Sequence, residues 1–370
     1  MANSFITIQE IARAALPRLI ENLVFPNLVY KDFSNDFSRN LGDTIQVRKP
    51  VLLEAKEFDQ SVGTTAQDIV ETSVPVPLDK IATVDVEITA IQGATNINDL
   101  QRQVLEPAAV ALAQKINSDG LALYKDIPYI CGTAGTTPSD LKDLADVRRV
   151  LNANKAPVSP RYAVWDTAAD ASLVTIPAIV NAEKSGSTQA LREGSLGRVM
   201  GLDNYMSQGI HHHTTGITSA SAVKVNGAVT KGATSLDIDG TALVGKLVKG
   251  DVLTIDGKNY VVTEDSVAAA SNAITGVKVY PALPDIKDNA DVTLAGSHTA
   301  NLGFHPSAFA FVTRPLVNPS GVESYVTSHN GVSLRVVKGY NMQYKKETLS
   351  MDVLYGYKTM YPELAVRAMG

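Results

Sequence analysis

From about Gly216 to Gly296 the chain is a succession of short alternating segments separated by turn residues, with no helical period in it. Val223 and Val225 precede Asn226-Gly227, a hairpin signal, and Leu236-Asp-Ile-Asp-Gly240 reads as a short strand and turn. Leu253 to Val262 reads as a second hairpin with Asp256-Gly257 at its tip, and Val277, Val279, Val292 and Leu294 bring the expected total to five or six strands. Short strands joined without helices cover a common apolar face by curling onto one another, so the block is expected to be a small β-barrel.

The next stretch, Leu302-Gly-Phe-His-Pro-Ser-Ala-Phe-Ala-Phe-Val312, is strongly apolar and resumes a mixed core, which makes the barrel an insertion in a larger α+β body. There is room for both, since 370 residues at 45% hydrophobic composition predict two or three domains. Thr7 and Glu10 have capping-box spacing, Ile8, Ile11, Ala15 and Leu19 share one helical face, and Pro17 is expected to kink or divide that helix. Such an arm reads the same whether it packs on its own core or on a neighbour.

From Leu41 to Asp79, Ile45, Val47 and Val51 to Leu53, then a polar turn over residues 60–67, then Ile69 to Pro77 predict a two-stranded excursion with little apolar surface of its own. Val84, Val86 and Ile88 alternate with polar residues as a half-buried strand. Asn98 or Asp99 is placed to cap a long helix carrying Leu100, Val104, Ala108, Leu112 and Ile116, bent by Pro107 and weakened at Gly120. After a loop over Cys131 to Ser139, Ser139 or Asp140 opens a helix through Leu151, Tyr162 to Trp165 is a buried strand, and Asp166 to Leu173 starts another helix. Late strands near Val332 to Val336 and Met351 to Tyr361 are expected to pair with early ones and close the main body.

Gly194 to Gly216 invites a search for phosphate or metal chemistry. Gly194, Gly197 and Gly201 lack the dinucleotide-binding spacing and no Gly-x-x-x-x-Gly-Lys occurs, so Gly197-Arg198 and Gly201-Leu202 are expected to permit tight chain crossings in a helix-to-strand connection. His211, His212 and His213 are neighbours in an extended segment, where side chains alternate, so at most two converge, and no carboxylate lies at a customary ligand spacing. His298 and His305 add no His-Glu-x-x-His pattern. Asp237 and Asp239 beside Gly240 read as backbone-bonded residues at a hairpin end. Ser195 and Cys131 lack a nucleophile elbow, and Cys131, the sole cysteine, excludes an intrachain disulfide and a thiolate cluster. No catalytic, cofactor-binding or metal-binding residue is assigned, no cofactor is expected, and an enzyme is not expected.

Lysine plus arginine number 33 against 38 acids, a net charge of −5 without long single-sign runs. Binding whose main task is to neutralise phosphates needs clustered cations, so only incidental contact with packed nucleic acid is expected. The start, Met-Ala-Asn-Ser-Phe, has no basic region before an apolar core, and no run approaches eighteen apolar residues, so the expected place is the cytoplasm or something assembled there, without a membrane. Extended segments with little core of their own repay their ordering entropy only by covering another surface, which points to an assembled structural protein.

Four stretches carry a resemblance: Arg192-Glu-Gly-Ser-Leu-Gly-Arg-Val-Met-Gly-Leu-Asp-Asn-Tyr205 with His213-Thr-Thr-Gly216; Lys249-Gly-Asp-Val-Leu-Thr-Ile-Asp-Gly257; Asn301-Leu-Gly-Phe-His-Pro-Ser-Ala-Phe309; and Asp352-Val-Leu-Tyr-Gly-Tyr-Lys-Thr-Met-Tyr-Pro-Glu363. In order and spacing, over nearly the whole chain, they resemble the major capsid proteins of tailed bacteriophages related to the coat protein of bacteriophage P22. The resemblance implies the HK97-like phage major capsid fold, an α+β architecture. Its parts would be an N-terminal arm (1–40), an E-loop (41–79), a first P-domain part with the spine helix (80–156) and a first A-domain part (157–215). The inserted β-barrel (216–300), a second A-domain part (301–331) and the return strands of the P/A core (332–370) would follow.

It further implies a structural protein that self-associates into pentamers and hexamers and closes an icosahedral head around double-stranded DNA. A scaffolded procapsid would form first and then expand, with scaffolding, portal and decoration proteins as partners and seven as the usual family triangulation number. The subunit would reside in the virion shell after assembly in the bacterial cytoplasm. Pro107 and the loops at Gly132 and Gly135 would be pivots between quasi-equivalent positions, and Lys49 and Lys56 would form no isopeptide crosslinks. The insertion is short for the family, so it is expected to brace its own subunit more than bridge neighbours. Residues 332–370 carry six lysines and arginines against three acids, expected to complement an acidic neighbour in preference to packaged DNA. The rival classes are a tail-tube component and a histidine-dependent metalloenzyme.

Overall fold

The structure, a computed structural model, describes residues 8–31, 44–48, 73–89, 106–181, 189–329, 331–342 and 346–370. Helix α1 (Ile8–Asn22) and the single turn α2 (Phe25–Leu28) precede β1 (Tyr30–Lys31), β2 (Thr44–Arg48), β3 (Ser73–Pro77) and β4 (Lys80–Thr89). Helix α3 (Glu106–Leu121) passes through a 3-10 turn (Ala122–Asp126) to β5 (Ile130–Gly132), α4 (Leu141–Ala153) and β6 (Tyr162–Trp165). Three short helices, α5 (Thr167–Val174), α6 (Pro177–Val180) and α7 (Gln189–Glu193), lead to β7 (Arg198–Val199), β8 (Leu202–Met206) and β9 (His212–His213). An all-strand section follows: β10 (Ile217–Val225), β11 (Ser235–Gly245), β12 (Val252–Ile255), β13 (Lys258–Val262), β14 (Ala273–Tyr280) and β15 (Val292–Leu294). The chain ends on β16 (His298–Phe304), β17 (Phe309–Arg314), β18 (Glu323–His329), β19 (Val332–Asn341), β20 (Lys346–Thr359) and β21 (Ala365–Met369).

Early and late strands close the body as the apolar pattern predicts. One sheet runs β1-β17-β20-β19-β18 with β4 also on β20, and a second runs β5-β21-β16-β6-β8-β7 with β9 also on β16. The second sheet is covered on both faces. Val164, Leu302 and Ala365 face the core built by α1, α2, α3 and the first sheet, while Ala163, Trp165, Val366 and Ala368 face α4 and α5. This is why β21 is buried along its whole length instead of alternating. The expected boundary at residue 300 falls inside β16, and β17 and β18, expected with the A domain, are hydrogen-bonded into the sheet of β4.

Helix α1 buries Ala12, Ala15, Leu16 and Leu19 in the chain's own core. Pro17 does not divide it: the helix continues to Asn22, and both Pro17 and Arg13, whose carbonyl loses its helical partner, are exposed where water can replace the bond. The break before α2 is held by the buried Asn117, whose Oδ1 accepts from the amides of Val24 (3.1 Å) and Phe25 (3.2 Å) while its Nδ2 donates to Asn22 O (3.0 Å). The expected spine helix is described from Glu106 onward, with Pro107 in its first turn; the part expected from Asn98 or Asp99 lies outside the described residues. Gly120, predicted only to cost helicity by about 1 kcal/mol, has a packing reason. A Cβ there would overlap the ring of Phe25, which stacks on Phe304 (5.4 Å), Phe309 (5.5 Å) and Tyr357 (6.0 Å).

The two-stranded excursion is present at its base, where β2 and β3 pair antiparallel from Thr44↔Pro77 to Arg48↔Ser73, and its expected turn, with Lys49 and Lys56, lies outside the described residues. The excursion is seated on β20: a Cβ at Gly356 would overlap Pro77 O, so only glycine allows that approach. Helix α4 begins as a capping box, with Asp143 Oδ2 accepting from the amides of Ser139 (2.8 Å) and Asp140 (3.1 Å). Asp143→Ala is expected to lower stability by about 1 kcal/mol, measured by urea denaturation against the parent chain.

The inserted section forms a six-stranded sheet, β10-β11-β14-β13-β12-β15, that curls until Val225 N donates to Ala290 O (2.9 Å) beside the Lys224↔Asp291 bridge. It has its own core, built from Val225, Ile238, Leu253, Val262, Ile274, Val277 and other apolar residues. The Asp256-Gly257 turn is as predicted, with φ of 49° and 73°, the positive pair a two-residue hairpin needs. Asn226-Gly227 is not such a turn, because β10 and β11 are joined by the longer loop 226–234. Gly240 is not a turn either: it lies within β11, and Asp237 Oδ1 accepts from Gly276 N (2.7 Å) across to β14.

Of the expected pivots, Gly132 is fixed in β5, where a Cβ would meet Met369 O at 2.7 Å, while Gly135 has nothing within 4 Å of that position. Several cations of the basic C-terminal segment are engaged inside the subunit. Arg335 Nε donates to Asp352 Oδ2 (3.0 Å), Lys346 Nζ to Glu87 Oε2 (2.7 Å), and Arg367 is buried.

Candidate functional site

Polar side chains converge where the inserted β module meets the body. The chain enters the module after β9 and returns through β16, and these strands pair antiparallel with His213 opposite His298 and His212 opposite Thr299. Thr215 N donates to Ser297 Oγ at 3.2 Å, so the two connections form a narrow two-stranded neck. The alternation predicted for the histidine triplet holds. His211 and His213 both approach the Tyr124 ring, at centroid distances of 6.2 and 5.6 Å, while His212 is exposed.

His213 is 3% exposed and uses both ring nitrogens. Nε2 lies 2.8 Å from Asp251 Oδ1 and Nδ1 lies 3.0 Å from Tyr124 Oη. An ionised Asp251 can only accept, which assigns the proton to Nε2 and makes Tyr124 the donor to Nδ1. The other carboxylate oxygen of Asp251 accepts from Val248 N (2.8 Å) and closes the module's turn. Burial pushes the Tyr124 phenol up, with the Arg367 charge opposing and the Asp251 charge adding to the shift.

Arg367, from the middle of β21, is fully buried and reaches the same place. Its Nη1 donates to Gly250 O (2.8 Å) in the module, its Nη2 donates to Tyr124 O (2.5 Å) and Ile127 O (3.1 Å) in the body, and its guanidinium lies 4.9 Å from the Tyr124 ring centroid. Burial pulls its pKa down to about 10, and Tyr124, Asp251 and Asp126 pull it back up. His298, fully buried, donates from Nδ1 to Gly296 O (2.8 Å) and is lowered to about 4, by burial first and then by the nearby Arg367, His213 and His212. Around this centre Lys249 pairs with Asp126 (3.0 Å) and Tyr280 Oη donates to Glu363 Oε1 (2.8 Å), again module to body.

The hydrogen-bonded line Asp251–His213–Tyr124 is sealed from solvent and ties three chain segments together, so its chemistry is that of a brace. Among the described residues no three His, Cys, Asp or Glu side chains are grouped to hold a metal ion. His211 points instead to Ser118, with Nε2 at 2.8 Å from its carbonyl and 3.1 Å from its hydroxyl. His305 stands apart as the cap of a short 3-10 turn. Cys131 is buried with its thiol pushed up to about 12 by that burial, far from a reactive thiolate. The glycines between 194 and 201 do not serve close chain crossings. Gly194, Gly197 and Gly201 have positive φ and nothing within 4 Å of a would-be Cβ, and Met200-Gly201 is a two-residue turn between β7 and β8. Close approach belongs to Gly209, against Ser118, and Gly216, against Lys246 O.

Tyr124, Asp251 and Arg367 were not singled out from the sequence. The one available signal was an arginine in the apolar strand Ala365-Val-Arg-Ala-Met369, since a charge in a strand buried on both faces needs partners.

Two packed sheets with a helical layer, a glycine-seated two-stranded excursion and an inserted β module are the general HK97-like capsid fold. Among solved structures, the chain is similar over 94% of its length to 90% of a protein of Mycobacterium phage Che8, with 16% identity and a TM-score of 0.52. It is also similar over 94% of its length to 88% of a chain in the capsid structure of the cyanophage P-SCSP1u, with 13% identity and a TM-score of 0.50. At these identities the likeness is one of fold. No family model matches the chain, and no curated protein does.

Proposed function

We propose that this chain is the major shell subunit of a tailed bacteriophage head, a structural protein that works by self-association. The observation that carries the proposal is the agreement of fold over 94% of the chain with a chain of a cyanophage capsid structure. The internal architecture fits. β2 and β3 form a two-stranded sheet of their own, apart from the two sheets of the body, as does a segment that extends over a neighbouring subunit. The side chains at the heart of the polar junction, Tyr124, His213, Asp251 and Arg367, are buried and spent on one another and on main-chain groups.

In this reading the sheet of β4 and β17 to β20 with α3 forms the P domain, the sheet of β5, β6, β8, β16 and β21 forms the A domain, and the β module is the insertion of a P22-like coat protein. Pentamers and hexamers would close an icosahedral shell, built on scaffolding protein around a portal, enlarged on maturation and filled with double-stranded DNA. Interfaces of about 1,600 Å² each, repeated around every subunit, hold such a shell without extreme pairwise affinity.

Electron microscopy of the chain expressed in bacteria, alone and with a scaffolding protein, tests the reading. Closed hollow particles of icosahedral outline are expected in at least one arm. Only monomers in both arms, or tubes of constant diameter as a tail-tube component would give, overturn it.

A further inference from the structure

The neck between body and module places two histidines opposite each other, His213 on β9 and His298 on β16, with ring centroids 5.4 Å apart and ring planes inclined at 48°. The groups around them come from every neighbouring element. The 3-10 turn contributes Tyr124 and Asp126, with the Lys125 side chain against Gly250; β21 contributes Arg367, the module Asp251 and Lys249, and β9 the exposed His212. With both neck histidines neutral, buried Arg367 and Asp251 offset each other and Lys249 offsets Asp126 at the rim. A proton added to His298 places a second positive charge beside Arg367, with Asp251 the single buried carboxylate among the described groups facing it.

The geometry offers such a proton no good place. His298 already donates from Nδ1 to Gly296 O, and its buried Nε2 has no hydrogen-bond partner among the described residues. His213 differs, since both its ring nitrogens have partners, Asp251 and Tyr124, so the unpartnered nitrogen of the neck is Nε2 of His298. The module also has a core separate from that of the body, so the two can part without either losing its interior.

We infer that the neck is an acid-operated hinge: protonation of His298 releases the contacts of Asp251 and Gly250 with the body and lets the β module swing while both parts stay folded. The sign follows from His298. Its pKa is held near 4 when the junction is closed and returns towards 6.5 when it is solvated. The closed state is therefore favoured in full above about pH 6.5 and loses that advantage as pH falls towards 4.

Hydrogen–deuterium exchange on the full chain from pH 7.5 to pH 5, with labelling times scaled to the intrinsic rate at each pH, tests this. Peptides covering 122–127, 211–216, 248–251 and 296–300 are expected to exchange about tenfold faster per pH unit below 6.5 for uptake of one proton. Peptides from β12 to β14 and from β19 and β20 should keep their protection. His298→Asn preserves a donor towards Gly296 O but cannot take the proton, and its profile should be flat. Unchanged junction protection down to pH 5, simultaneous loss in junction and cores, or a His298→Asn profile like that of the parent overturns the inference. Should His298→Asn fail to fold, the parent profile decides alone.

Discussion

Arg367→Met is expected to lower the free energy of unfolding by about 3–5 kcal/mol, the range for removing one partner of a buried charged network. Replacement of a buried ion pair by apolar residues is sometimes neutral, because both charges leave together. That route is closed here. The acceptors of Arg367 are the main-chain carbonyls of Gly250, Tyr124 and Ile127, which no side-chain substitution removes. Tyr124 O keeps the amide of Ile127 (3.1 Å), but Gly250 O and Ile127 O lose this donor at about 1–3 kcal/mol each, and the lost guanidinium–Tyr124 contact adds about 1 kcal/mol. Asp251 also loses the cation that offsets it. Methionine recovers part of this through apolar packing, which is why the total stays below the plain sum.

Arg367→Lys should fall between parent and Arg367→Met, since an ammonium keeps the charge but lacks the planar fork that serves carbonyls on both sides of the junction. Guanidinium denaturation of the three proteins measures the order. A loss below about 1 kcal/mol in Arg367→Met would mean that the buried arginine is not what joins module to body.

What the sequence made legible was local. The hairpin at Asp256-Gly257 needs two consecutive positive φ values, and Asp-Gly announces them. The opening of α4 lies within five residues, Ser139 to Asp143, and was readable for the same reason. The junction is the opposite case. His213 meets Asp251 across 38 positions and Arg367 meets Tyr124 across 243, and no spacing rule links residues so far apart. Gly120 shows a subtler limit, since propensity reports what a glycine costs its own helix and is silent about the Phe25 ring that requires it. Gly194, Gly197 and Gly201 were located correctly, but turn conformation and close approach both ask for glycine, and only the three-dimensional neighbourhood tells them apart.

Removal of residues 216–296, with the neck closed by a short glycine-serine link, is expected to lower the melting temperature of the remaining body by on the order of 10 °C while leaving the size of any particles unchanged. The ends are close enough to join, because Thr215 and Ser297 are already hydrogen-bonded at 3.2 Å. The deletion takes away Asp251, the Gly250 carbonyl, Lys249 and Tyr280, and so strips His213, Arg367, Asp126 and Glu363 of their module partners in one step. Water can reach the exposed groups and replace part of each bond, so the loss per contact is smaller than in Arg367→Met, but four contacts and the cover over Tyr124 go together. The direction of the size prediction follows from where the module attaches. Its tie-points, Tyr124, Asp126, Glu363 and Arg367, are all in the same subunit, and a brace of that kind sets how firmly a subunit holds its shape more than how it meets the next one. Calorimetry and electron microscopy of the deletion variant separate the two roles. An unchanged melting temperature would remove the bracing role, and stable, soluble protein that builds particles of altered diameter would assign the module to contacts between subunits instead.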